Sequence, residues 1–172
     1  MKHLANQEQF YGDDFMATLK GDNQNNLLIG SVGNDILAGY GGHDILNGGA
    51  GNDLLSGGAG HDILIGGTGN DRLVGGSYAD LLIGGEGNDI YMVDYVDDVI
   101  SETADAGIDT VNSSITWMLG ENLEKLYLTG TAVINGTGNA LNNTLKGNDA
   151  ANVLAGGEGN DALMAAWVPT LC

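Results

Sequence analysis

Seven aspartates recur at intervals of nine residues: Asp35, Asp44, Asp53, Asp62, Asp71, Asp80 and Asp89, with Asn26 one interval earlier in the same register. One carboxylate is an ordinary surface group, but seven in register place their charges in line. If two intervals close one coil of 18 residues, successive coils stack as parallel strands about 4.8 Å apart. One edge then aligns Asp35, Asp53, Asp71 and Asp89, and the other aligns Asn26, Asp44, Asp62 and Asp80. Two unscreened carboxylates about 5 Å apart repel by roughly 3 kcal/mol even at an effective dielectric near 20. A hard divalent ion with six to eight oxygen ligands at about 2.4 Å resolves that repulsion, since glycine carbonyls of adjacent turns complete its shell. Calcium fits this chemistry better than magnesium, which demands stricter octahedral geometry, and zinc prefers His or Cys over oxygen. Several calcium ions are therefore the expected cofactor.

The rest of the sequence shows what must position these carboxylates. A nine-residue period starts at Gly21 and runs without a gap through Met92 as GDNQNNLLI, GSVGNDILA, GYGGHDILN, GGAGNDLLS, GGAGHDILI, GGTGNDRLV, GGSYADLLI and GGEGNDIYM. Position eight holds Leu28, Leu37, Leu46, Leu55, Leu64, Leu73, Leu82 and Tyr91. Six glycine-rich residues are expected to form a turn, because glycine reaches the positive-φ conformations a tight turn needs. The last three residues are expected to be extended, which points position eight inward and positions seven and nine outward.

Composition agrees with an architecture that has little conventional core. The 172 residues include 30 glycines and one proline, and aromatic residues make up 6%. Acidic residues outnumber basic ones 23 to 5, a net charge of −18. Such a surface repels nucleic acid and anionic membranes, so neither is an expected partner, whereas calcium ions are. The single cysteine, Cys172, allows no intrachain disulfide. Met1 to Lys20 lacks an apolar run of signal-peptide length, and no segment approaches the roughly 20 apolar residues of a membrane span, so membrane insertion is not expected.

The units GGAGNDLLS, GGAGHDILI, GGTGNDRLV and GGEGNDIYM resemble the GGxGxDxUx nonapeptide of the RTX (repeats-in-toxin) family. That resemblance implies an all-β fold, a right-handed parallel β-roll that binds calcium between stacked turns. It implies that residues 30–92 carry the ions, with Gly33, Gly42, Gly51, Gly60, Gly69 and Gly87 as the fourth-position glycines of the binding turns. It also implies a bacterial protein exported by type I secretion, unfolded at low cytosolic calcium and folded outside the cell. Unit one departs from the pattern at Asn26, and unit seven at Tyr78 and Ala79. The pairs expected to hold ions are thus 35/53, 44/62, 53/71 and 71/89, with 26/44 and 62/80 set apart.

Five segments are expected: an unpatterned residue stretch 1–20, a first array 21–92, a strand-rich acidic connector 93–137, a second array 138–164 and a tail 165–172. In the connector, Asp94, Asp97, Asp98, Glu102, Asp105 and Asp109 are read as a solvated acidic loop rather than a further cation site. The period returns as GNALNNTLK, GNDAANVLA and GGEGNDALM, where Leu145, Leu154 and Leu163 restore the inward column. Position six here carries Asn143, Asn152 and Asp161, so neutral asparagine ladders are expected to replace ions in the first two turns. The tail AAWVPTLC fits no unit, but one set of permitted codons for it, read with a one-base shift near residue 164, gives GGLGADTL in register, so a frameshift is expected there.

His43 and His61 share position five with Asn34, Asn52, Asn70 and Asn88, and both residue types tolerate left-handed backbone, so they are read as turn residues and not as ligands. The chain has no GxxxxGK[ST] loop, HExxH helix or GxSxG elbow, and no enzymatic activity is expected of it. The functional expectation is a calcium-binding module that folds on binding its ion. The alternatives are a detached carrier module of a secreted hydrolase or toxin, whose remainder is encoded nearby, and an adhesin or surface-layer element.

Overall fold

The computed structural model describes residues 16–104 and 106–165. The tail reading for 166–172 and the place of Asp105 lie outside them. The described residues form parallel strands and no helix, stacked coil on coil as a parallel β-roll. Among the described residues no helix is long and apolar enough to cross a membrane.

Strands are numbered in chain order. One face is a sheet of nine: β1 (Thr18–Lys20), β3 (Ile36–Gly41), β5 (Leu54–Ala59), β7 (Arg72–Ser77), β9 (Ile90–Val93), β11 (Thr110–Ser113), β13 (Lys125–Leu128), β15 (Thr144–Lys146) and β17 (Ala162–Met164). The opposite face is β2 (Leu27–Ile29), β4 (Ile45–Ala50), β6 (Ile63–Thr68), β8 (Leu81–Glu86) and β10 (Val99–Ser101), followed along the chain by a sheet of β12 (Trp117–Met118), β14 (Gly136–Thr137) and β16 (Leu154–Ala155). The register is the expected 18-residue coil: Leu28 pairs with Leu46, and Leu37 with Leu55.

The strands of the regular repeats are longer than the sequence reading predicts. Strands β3 to β8 each run for six residues, from position seven through position three of the next unit. Position eight is buried, and so is the glycine at position one that follows it. A strand ends where a side chain must leave its alternation; glycine has none, so the extended backbone carries on across it and the turn shrinks to positions four to six. The inward leucines are fully buried from Leu37 through Leu82, with Tyr91 continuing the column. Each is worth about 1.5–3 kcal/mol relative to exposure.

Strand β10 still pairs with β8 at 18 residues, Ile100 with Leu82, and beyond Ser101 the stack continues without the period. Val111 pairs with both Tyr91 and Leu126, and Leu126 pairs with Leu145. All three are buried in the same column. Leu154 packs partly against this core, whereas Leu163, in the last described strand, is 48% exposed.

Candidate metal centre

Each position-six aspartate immediately precedes a strand, where the chain turns in from the outer edge. Its side chain points into the coil, and Asp35 through Asp89 are only 1–3% exposed. One carboxylate oxygen has a structural task. Asp53 Oδ1 accepts the Asp35 N–H at 2.7 Å, Asp71 Oδ1 accepts that of Asp53 at 2.7 Å, and Asp89 Oδ1 that of Asp71 at 2.7 Å. On the other edge Asp44, Asp62 and Asp80 accept from Asn26, Asp44 and Asp62 at 2.7, 2.8 and 2.8 Å. This ladder ties every coil to the next.

The second oxygen has no such task. Oδ2 of Asp44, Asp53, Asp62, Asp71, Asp80 and Asp89 is buried and accepts no hydrogen bond. An unpartnered buried carboxylate oxygen costs several kcal/mol, so the arrangement requires a counter-charge. The neighbours of these atoms are the position-one glycines. A Cβ on Gly48 would collide with Asp53 Oδ2 and stand 2.8 Å from the Gly66 carbonyl oxygen of the next coil; Gly57 is placed likewise against Asp62 Oδ2 and the Gly75 carbonyl, and Gly66 against Asp71 Oδ2 and that of Gly84. Carboxylate and carbonyl oxygens thus converge on a side-chain-free interior, a donor set suited to a hard cation such as calcium.

The electrostatics carry the same message. Burial raises the carboxyls of Asp44, Asp53, Asp62 and Asp89 above the ordinary range. It pushes Asp71 up to about 6 and Asp80 up to about 7, and neighbouring carboxylates along the columns add to the effect. Backbone N–H donors pull the other way without cancelling it.

The structure arranges the sequence-derived residues unevenly. Asp35 lies in its column, but its Oδ2 accepts the Ser31 N–H at 2.6 Å and the Ser31 hydroxyl at 3.1 Å. Asp80 occupies the same position as its neighbours although its turn lacks the fourth-position glycine. Tyr78 takes the left-handed conformation there instead, at φ 79°. Gly42, Gly51, Gly60, Gly69 and Gly87 do have positive φ at the turns, while Gly33 does not. Gly51, Gly60, Gly69 and Gly87 each have so little room that a Cβ would strike the fourth-position carbonyl one coil back. The glycines that border the unpartnered carboxylate oxygens are those at position one, which the sequence reading did not single out.

The expected solvated loop is correct for Asp94 and Asp97, which are exposed, but not for Asp98 and Asp109, which are buried. Asp98 Oδ1 accepts the Asp80 N–H at 3.1 Å, and Asp109 Oδ1 accepts that of Asp89 at 2.8 Å. Glu124 Oε2 extends the ladder to the Asp109 N–H at 2.9 Å. Asp98 keeps the nine-residue spacing from Asp89, in a unit VDYVDDVIS that lacks the glycines; no nonapeptide marks Asp109 or Glu124, where the sequence signal was an acidic residue ahead of a short apolar strand, as in GIDTV and NLEKLYL.

From residue 138 onward, side-chain amides meet inward carbonyls. Asn143 Nδ2 donates to the carbonyls of Leu123 at 3.0 Å and Glu124 at 3.4 Å, and Asn148 Nδ2 donates to Thr129 and Ala132 at 3.1 and 2.9 Å. On the outer edge, position five builds a second ladder. Asn70 accepts the Asn88 N–H at 2.7 Å, and His43 Nδ1 accepts the His61 N–H at 2.9 Å. The two imidazoles stack with centroids 5.4 Å apart. His43 thus does the work of a turn asparagine.

The RTX calcium-binding nonapeptide repeat profile matches four stretches, residues 11–46, 38–73, 65–100 and 137–167, which together cover well over half of the chain. No curated protein and no solved structure gives a significant match. With its 18-residue coils, its buried aspartate columns and the oxygen donors beside the position-one glycines that fit several calcium ions, the chain belongs to the RTX calcium-binding nonapeptide repeat family.

Proposed function

We propose that the protein is a module whose folding is driven by calcium, with the ions held at Asp44, Asp53, Asp62, Asp71, Asp80 and Asp89 and at the turns of Gly33, Gly42, Gly51, Gly60, Gly69 and Gly87. Asp35 completes the first pair. The observation that carries this reading is the column of buried Oδ2 atoms without partners. A thin leucine column opposes the ordering entropy of a chain with 30 glycines, so ion binding supplies much of the folding free energy. Residues 21–92 are the ion-bearing array, residues 93–137 continue the stack, and residues 138–164 hold it with amides.

The biological use that follows is a carrier segment of a bacterial protein exported by type I secretion. It stays unfolded at low cytosolic calcium and folds outside, and catalysis, where the parent protein has any, belongs to another segment. Circular dichroism tests the coupling. In chelator the chain is largely disordered, and millimolar calcium restores β signal cooperatively where magnesium does not. A chain already folded in chelator sinks the proposal. Exposed apolar pairs on both faces, Leu27 beside Ile45 on one and Ile36 beside Leu54 on the other, favour a second use, as contact surfaces of an adhesin or surface layer. Calcium-dependent self-association in light scattering supports that use, and a monomer at all calcium levels removes it.

A further inference from the structure

The last regular unit, GGEGNDIYM, replaces the inward leucine with Tyr91, where the seven units before it have leucine. Tyr91 is fully buried, yet its hydroxyl has no hydrogen-bond partner. A buried phenol normally finds one. The hydroxyl points at the backbone of Gly84, where a Cβ would strike three oxygens at once: Tyr91 OH, Asp89 Oδ2 and Glu102 Oε1. Asp109 Oδ2, from the following coil, is also buried without a partner. One carboxylate oxygen from each of Asp89, Glu102 and Asp109 lies within 4.8 Å of the others. Oxygens bound to one calcium ion at about 2.4 Å are separated by at most about twice that, or roughly 4.8 Å.

We propose that Asp89, Glu102 and Asp109, with the Tyr91 hydroxyl, form a calcium site of a different make from the two-aspartate pairs. It sits at the seam where the nonapeptides end. Glu102 and Asp109 lie outside the stretches that match the repeat profile, so the repeat pattern assigns neither of them. Glu102 has the character of a ligand in waiting: Oε2 accepts the Thr103 N–H at 3.2 Å, leaving Oε1 facing Gly84. Three carboxylates make this site more negative than any pair, and calcium affinity rises with ligand charge. It therefore fills first, and the coil it closes joins the first array to Val111 and the strands that follow.

The site shares Asp89 with the repeat pairs, so the test separates the two. Equilibrium dialysis of the full chain against graded free calcium should show one ion bound at about tenfold lower concentration than the rest. Glu102→Gln should lose that ion or weaken it about tenfold while the other ions stay. Asp53→Asn should do the opposite, sparing the first ion and weakening later ones. A Glu102→Gln titration that superimposes on the parent chain overturns the site, and if Asp53→Asn still weakens binding, the repeat-pair reading stands alone. A parent chain that binds no calcium overturns both. Should Glu102→Gln show no calcium-induced β signal, Tyr91→Phe decides, because it keeps the ring and all three carboxylates. With one equivalent of terbium the parent chain should give tyrosine-sensitised emission that Tyr91→Phe largely loses; equal emission from the two overturns the site.

Discussion

Neutralising Asp53 probes the cation columns most directly, because the two oxygens of its carboxylate have separate tasks. Oδ1 accepts the Asp35 N–H at 2.7 Å, and Oδ2 is buried and unpartnered. Asp53→Asn keeps the ladder acceptor and removes the charge; Asp53→Ala would also delete the hydrogen bond, at a further cost of about 1 kcal/mol or more. Asp53 belongs to two proposed sites, 35/53 and 53/71. At free calcium ten times the dissociation constant, one occupied site contributes about 1.4 kcal/mol to the folded state. Emptying both lowers the calcium-loaded stability by about 3 kcal/mol, a large part of the roughly 5–15 kcal/mol typical of a domain. In chelator the sign reverses, since the substitution removes one member of each repelling pair, roughly 3 kcal/mol apiece before screening. Thermal melts followed by circular dichroism in saturating calcium measure the first effect, and the residual β signal in chelator, larger for Asp53→Asn than for the parent chain, measures the second. Asp161→Asn is the control: Asp161 accepts the Asn143 N–H at 2.9 Å and has a neutral residue, not a carboxylate, one coil before it. Equal shifts for the two variants, or an unchanged calcium-loaded melt for Asp53→Asn, would refute the argument.

Three further outcomes are expected. Burial pushes Asp71 up to about 6 and Asp80 up to about 7, so protons favour the ion-free fold at acid pH and that contribution is lost as pH rises through 6–7; the residual β signal in chelator, read by circular dichroism, should be larger at pH about 5 than at pH about 8. The same signal at both values would contradict the assignment. Changing both His43 and His61 to Asn should leave the calcium midpoint unchanged, since asparagine holds the same rung at Asn52 and Asn70. Gly57→Ala puts a methyl group against Asp62 Oδ2 and the Gly75 carbonyl and should cost about 1–3 kcal/mol in calcium, whereas Gly120→Ala, whose nearest neighbour is Leu123 Cδ1 at 3.8 Å, should be close to neutral in the same melts.

The period made the coil legible because it fixes geometry at every ninth residue. Leucine at position eight had to face inward, and aspartate at position six had to stack on its counterpart two units later. What the period could not convey was the use of each oxygen. That Asp71 Oδ1 would hold the Asp53 N–H depends on the depth of the side chain, which only packing decides. Strand length was missed for a related reason. Glycine reads as a turn residue, yet Gly48 and Gly57 are extended and inward-facing, small because an aspartate oxygen occupies the space a side chain would fill. Asp98 was obscured because its unit, VDYVDDVIS, keeps the nine-residue spacing but has no glycine, and Asp109 and Glu124 were invisible because the later coils differ in length, so the same column is reached after 20 residues at Asp109 and 15 more at Glu124. Spatial register survives where sequence register does not. Tyr78 shows the converse, a broken motif in an intact turn, with a left-handed tyrosine that costs about 1–2 kcal/mol.

The interior of such a coil poses one problem along its whole length: oxygens point inward, and something must answer them. The chain uses two solutions. In residues 138–164 the chain supplies the answer itself, because Asn143 and Asn148 bring their own N–H donors and satisfy the carbonyls of the preceding coil by hydrogen bonds. In residues 30–92 the position-six residue is an aspartate, which adds an oxygen where the asparagine adds a donor. Asparagine also ties coils together, since Asn143 Nδ2 donates to the Leu123 carbonyl of the preceding coil at 3.0 Å, while its Oδ1 closes its own turn by accepting the Asn139 N–H at 2.7 Å, as that of Asn26 does with the Asp22 N–H at 2.8 Å. Asparagine would therefore suffice if cohesion were the only requirement. Choosing aspartate at seven successive rungs gives up internal satisfaction and makes the coil incomplete without a cation. On the calcium-driven folding proposed above, an incomplete coil is a conditional one, and the condition is the calcium concentration around it.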